Sequence, residues 1–215
     1  MCFSASASFT ASGVLTVIGV GSVAQTKTKR GLMYAAVPLV FAVQQLIEGF
    51  EWLAPVGSAA SVALAYSFLF FAVILWPTYV PIAVYLIEPR KDKKQVLMTF
   101  IVLGSIISVY AIVNFLLIPP SATNTLCCHV IYSFKMPLKF AVGGAYAVAT
   151  CGSLLLSSRH WVKIMGVVSA LSLIVAYFYT AVSFVSVWCY FAALLSTLVF
   201  VHVRSQRNEH QTRKI

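Results

Sequence analysis

The chain has 215 residues, 60% of them hydrophobic and 9% charged, with a mean hydropathy of +0.92. Soluble domains carry about a quarter charged residues, so composition excludes an ordinary soluble domain and leaves no length for one beside the apolar segments. The formal charge of +10 does not point to nucleic acid, because the cations cluster at segment ends, where they set topology and meet anionic headgroups.

Four basic runs divide the chain into seven apolar segments. They are Lys27, Lys29 and Arg30; Arg90, Lys91, Lys93 and Lys94; Arg159 and Lys163; and the tail from Arg204 to Lys214. Together they hold 13 of the 15 lysines and arginines, the others being Lys135 and Lys139. With seven spans all four runs fall on one side, and the cost of carrying cations across a bilayer makes that side cytoplasmic. The expectation is an all-α integral membrane protein of the plasma (inner) membrane. It is a single domain over residues 1–215, a bundle of seven transmembrane helices with its amino end outside. Residues 205–215 form a basic cytoplasmic tail. No basic stretch precedes the first apolar segment, so that segment is expected as a retained helix and not as a signal peptide.

A span needs roughly 20 apolar residues, which places helices over about 9–25, 32–53, 61–87, 96–118, 137–156, 164–180 and 184–203. The first is rich in Ser, Thr and Gly, suited to close packing. The second carries Gln44-Gln45-Leu46-Ile47-Glu48-Gly49-Phe50-Glu51-Trp52. At helical spacing Gln44 and Gln45 lie one turn from Glu48, and Glu51 and Trp52 one turn beyond. Glu48 then sits roughly 9 Å inside the outer end of its helix at 1.5 Å per residue. An ionised carboxylate at that depth is costly and marks a functional site by default. The competing reading is a structural clasp in which Lys139, at the outer end of segment five, pairs with Glu48 or Glu51.

Segment three contains Trp76-Pro77-Thr78-Tyr79-Val80-Pro81, and each proline removes a backbone donor, so a kink or helix break is expected at Pro77 and Pro81. Asn114 in segment four lies at a depth close to that of Glu48. It is expected either to line the same cavity or to hydrogen-bond a neighbouring helix. The one long loop, residues 119–136, holds Cys127-Cys128-His129. These residues and Cys2 share the outer side and are the candidate metal ligands, zinc or copper being the ions such donors suit. Adjacent cysteines do not match the usual spaced pair, and a disulfide from Cys2 to Cys127 or Cys128 explains the same residues. Cys151 and Cys189 read as apolar packing. Trp52, Tyr132, Trp161 and Trp188 fall near segment ends, where interfacial rings sit. His160, His202 and His210 read as residues of the cytoplasmic interface.

The opening Cys2-Phe3-Ser4-Ala5-Ser6-Ala7-Ser8-Phe9, then Gln44-Gln45-Leu46-Ile47-Glu48-Gly49 with Trp52, then Trp76-Pro77 with Pro81 and Glu88, resembles a domain-of-unknown-function family of small prokaryotic membrane proteins. The resemblance implies a polytopic membrane protein of similar length and no particular activity.

Three functions fit these residues. The leading one is a transporter or an ion or proton pathway, in which Gln44, Gln45, Glu48, Glu51, Asn114 and Lys139 build a polar cavity open to the outer side. The alternatives are a metal- or thiol-dependent enzyme within the membrane, and a non-catalytic partner or sensor subunit. Expected partners are the lipid bilayer, a small ion or small-molecule ligand, and a second copy or another membrane protein.

Overall fold

The structure, a computed structural model, describes residues 4–118, 120–125, 129–134, 136–179 and 184–212. Among these residues seven helices are long and apolar enough to cross a membrane: Ala5–Gln25, Lys29–Glu51, Ala59–Ile87, Lys91–Leu117, Lys139–Leu156, His160–Phe178 and Val185–Arg207. They match the seven expected segments. The outer surface is apolar, with Val17, Leu116 and Phe178 all more than 70% exposed, as lipid-facing side chains are.

Helix α1 (Ala5–Gln25) begins where Ser4 Oγ accepts from the Ala7 N–H at 3.2 Å, a serine N-cap. The small residues of α1 admit close packing, as expected. Gly19 lies against Leu39, where a β-carbon would come within 2.8 Å of the Leu39 nitrogen, and Ser12 Oγ donates to the Ala42 carbonyl at 2.8 Å. The second span is two helices, α2 (Lys29–Ala35) and α3 (Val37–Glu51). They meet at Ala36, two residues before Pro38, whose missing N–H interrupts the ladder there.

The third span contains no break at its prolines. It runs α4 (Ala59–Leu69), a π-helical turn (Phe70–Leu75), then α5 (Trp76–Ile87), with Pro77 in the first turn of α5 and Pro81 inside it. The expected interruption is replaced by a wide turn just before Pro77, and neighbouring helices pack against the freed groups. In the π register the Trp76 N–H reaches the Phe71 carbonyl. The next donor would be that of Pro77, which has none, and the Ala72 carbonyl so vacated accepts from Tyr146 Oη at 2.8 Å. Pro81 likewise leaves the Pro77 carbonyl without its helical donor, and this oxygen lies against Gly104 of α6 (Lys91–Leu117). Ser108, one turn along α6, donates to the Ile74 carbonyl at 2.6 Å and lies 2.9 Å from Thr78 Oγ1.

The long loop is a short antiparallel hairpin, not irregular chain. Strand β1 (Ser121–Thr125) pairs with β2 (His129–Ser133), Ser121 opposite Ser133. Val130 and Tyr132 are buried, and Tyr132 stacks on Phe68 with ring centroids 4.3 Å apart. The hairpin therefore caps the end of the bundle away from the basic runs, and Tyr132 is packed inside, not at an interface.

The fifth span is α7 (Lys139–Ala147), a second π-helical turn (Val148–Gly152) and α8 (Ser153–Leu156). Helix α9 (His160–Tyr179) follows, then α10 (Phe184–Leu195) and α11 (Thr197–Thr212). Trp188 is also buried, its indole N–H 3.4 Å from the Ser169 carbonyl. His202 is 6% exposed, with its ring edge on Tyr34 at 5.5 Å. It belongs to the core and not to the interface, because α11 turns this face toward α2. Cys151 and Cys189 are buried, as apolar packing requires.

Candidate functional site

Helix α3 sorts its residues by helical period. Val43, Leu46 and Phe50 are exposed, whereas Gln44, Gln45, Glu48 and Glu51 are at most 2% exposed. The polar stripe therefore faces the bundle interior. Gly49, on the same helix, lets the Phe9 ring of α1 close over it; a β-carbon there would lie 2.6 Å from the ring.

Within the stripe each polar group meets a different element. Glu48 Oε2 accepts from Gln45 Nε2 at 3.1 Å. Glu48 Oε1 accepts from the Ser186 hydroxyl of α10 in a short hydrogen bond. Gln44 Oε1 accepts from the indole N–H of Trp76 at 2.7 Å. Nearer the hairpin end, Glu51 Oε1 accepts from Ser61 Oγ of α4 at 2.6 Å. Gln44 Nε2 and Gln45 Oε1 are buried with no hydrogen-bond partner among the described residues. Such groups cost about 1–3 kcal/mol each when left unmet.

Trp76 connects this stripe to the interior. Its ring stacks on Phe41 with centroids 4.0 Å apart and meets Tyr79 edge-on at 5.6 Å. The same indole lines a cavity of about 50 Å³, together with Tyr34, Tyr146, Cys151, Trp188 and Cys189. Tyr34 Oη lies 3.6 Å from Met165 Sδ, a long contact. Tyr34 also lines a second, larger cavity of about 310 Å³ at the basic end of the bundle. Tyr34 thus lines both the interior cavity and the basic one.

At that basic end Glu88, just past α5, is 2% exposed. Its Oε1 accepts from the Arg90 N–H at 3.1 Å, and its Oε2 from Ser157 Oγ at 3.2 Å and the Ser158 N–H at 2.7 Å. Burial pushes this carboxyl up, but the hydrogen bonds from Ser158, Arg90 and Ser157 outweigh it and hold the group below the ordinary value of 4.5.

Other expected site residues lie elsewhere. Lys139 is exposed, its ammonium 5.2 Å from the Phe140 ring centroid, and pairs with neither Glu48 nor Glu51; the ion pair among the described residues is Arg90–Asp92. Lys139 is the first residue of α7, and at that exposed helix end a lysine is better solvated than inside the bundle. Asn114 is buried but donates to the Tyr110 carbonyl of its own helix at 2.8 Å. Pro77 and Pro81 are buried in a continuous helix. Cys2, Cys127 and Cys128 lie outside the described residues, as does the side chain of His129.

Sequence reasoning did not single out Ser186, Ser61 or the Ser157–Ser158 pair. A lone serine between Val185 and Val187 was the available signal for Ser186, but its partner is 138 residues away.

No curated protein and no solved structure matches the chain. The family model described as "Family of unknown function (DUF6629)" matches residues 1–214, well beyond the first 90 residues that carry the quoted motifs. This chain of seven apolar helices belongs to that family of unknown function, DUF6629.

Proposed function

We propose that the protein is a membrane transporter or ion pathway, with Glu48 as the group that takes up and releases a proton or a small cation. The observation that carries this reading is the Glu48 carboxyl itself. It is sealed among apolar helices, held by one amide and one hydroxyl, with no ion pair to a cation among the described residues. A purely structural buried carboxylate is ordinarily matched by a positive partner, since one charge alone is costly to bury. Glu48 is instead suited to exist neutral and to ionise when its ligand or proton is exchanged.

The surroundings supply the rest of a route. Glu51 and Ser61 lie toward the hairpin end, and Gln45, Glu48 and Ser186 come next. Gln44 and Trp76 then lead to the interior cavity, and Tyr34 lines both that cavity and the basic one. The unmet Gln44 Nε2 and Gln45 Oε1 are one donor and one acceptor beside Glu48. Ser186 belongs to α10 and Glu48 to α3, so motion between these helices would open or close contact with the carboxyl.

The test is flux in liposomes containing the purified protein, with a pH-sensitive dye inside and, in parallel, with sodium uptake. The wild type is expected to dissipate one of the two gradients faster than protein-free liposomes. Glu48→Gln, which preserves shape and keeps one oxygen to accept from Gln45 while its amide N–H can donate to Ser186 Oγ, is expected to fall to the protein-free rate. Wild-type flux in a folded Glu48→Gln protein, or no flux of either ion in the wild type, refutes the proposal.

A further inference from the structure

The cavity at the basic end has a chemistry of its own. Lys27 reaches it from the link between α1 and α2, Arg30 from the first turn of α2, Arg159 from just before α9, and Arg207 and His202 from α11. One carboxylate, Glu88, shares the lining. Four permanent cations from three separate stretches of chain thus surround about 310 Å³ of open volume, against one negative charge. The Glu88 charge is already spread over hydrogen bonds from Arg90, Ser157 and Ser158, so it neutralises none of the four directly. In a bundle stabilised by apolar packing, converging like charges are unfavourable unless something offsets them.

Arg159 shows where that something would sit. Its Nη1 donates to Gln206 Oε1 at 2.7 Å, which fixes the guanidinium plane. Its Nε is enclosed and has no hydrogen-bond partner among the described residues. The Nε edge of a guanidinium is one side of the fork that grips carboxylates and phosphates with two parallel N–H donors. That N–H has no solvent-accessible surface, so an incoming anion meets Arg159 through the rest of the guanidinium, which lines the cavity inside the group of cations. Lys27, Arg30 and Arg207 are exposed at the rim, placed to draw in an anion and to meet its remaining oxygens.

We infer that this cavity is an anion site for a phosphate group, held by the guanidinium of Arg159 and neutralised by Lys27, Arg30 and Arg207. The phosphate could belong to an anionic phospholipid headgroup, since the cavity lies at a bilayer-facing end of the spans, or to a free phosphate. The shared chemistry is a tetrahedral oxyanion with at least two oxygens free for the guanidinium. The inference is independent of the role proposed for Glu48, because no residue of the α3 stripe lines this cavity.

The test is binding to the full chain purified in neutral detergent. The two probes are inorganic phosphate and mixed micelles containing phosphatidylglycerol, with phosphatidylcholine micelles as the control. Binding of either anionic probe, with none to phosphatidylcholine, is expected, and the better probe identifies the source. Arg159→Lys, which keeps the charge but loses the fork, should weaken that binding by about tenfold or more. Lys27→Gln and Arg30→Gln, both at exposed positions, should each weaken it by about fivefold, the equivalent of roughly 1 kcal/mol per cation near an anionic group. They keep the test valid even where Arg159→Lys fails to fold. Failure of both anionic probes to bind overturns the inference. So does binding equal to that of phosphatidylcholine, or binding untouched by the Lys27 and Arg30 substitutions.

Discussion

Gly104→Ala is the sharpest probe of how the third and fourth spans are joined. A β-carbon on Gly104 would lie 2.6 Å from the carbonyl carbon of Pro77 and 3.2 Å from the Thr78 nitrogen, with the Pro77 oxygen nearer still. The obstruction is backbone, held within a helix, so it cannot rotate away as a side chain would. The helices must separate, and overpacking of this kind costs about 1–3 kcal/mol. Separation also loosens the Ser108 contacts to the Ile74 carbonyl and Thr78 Oγ1, worth about 0.6 kcal/mol each between membrane helices. Against this, alanine is a better helix former than glycine by about 1 kcal/mol. The net expectation is a loss of about 1–3 kcal/mol. Gly143, in α7, is the control, because a β-carbon there meets nothing within 4 Å; Gly143→Ala is expected to be neutral or slightly stabilising. Both are read from unfolding in mixed micelles on addition of denaturing detergent, followed by far-ultraviolet circular dichroism. A Gly104→Ala protein as stable as the wild type, or a Gly143→Ala protein equally weakened, would refute the close crossing at Pro77.

Two further outcomes are expected. Trp76→Phe removes the donor to Gln44 Oε1 and leaves the whole buried amide unmet, a loss of about 1–3 kcal/mol. Adding Gln44→Leu should restore most of it, and a double mutant no better than Trp76→Phe would argue against the bond. Glu88 sets an acid limit: its folded-state pKa lies below the ordinary 4.5, so its contribution is complete above about pH 4.5 and is lost as pH falls through the lower folded value. The wild type should therefore lose thermal stability below pH 4.5 more steeply than Glu88→Gln, and parallel profiles would count against the Glu88 cluster.

Much of this molecule is set by local composition. Whether a segment enters a bilayer depends on its own apolar residues and flanking cations, so all seven spans and the polar stripe from Gln44 to Glu51 were legible one segment at a time. Ser4 at the head of α1 and the small residues along it are local features of the same kind. Which groups meet inside the bundle depends on how helix faces dock, and that is a non-local property. Similar depth allowed Lys139 as a partner of Glu48 or Glu51, but depth does not specify azimuth: the structure brings Ser186 to the Glu48 carboxyl and leaves Lys139 exposed. The same docking of helix faces buries His202 against Tyr34. The prolines of α5 warned of lost donors, yet only the neighbouring helices decided the outcome. Tyr146 caps the Ala72 carbonyl and Gly104 makes room for that of Pro77, so the helix widens into a π turn instead of breaking. Insertion is decided by each segment against lipid, whereas the site is decided by segments against one another.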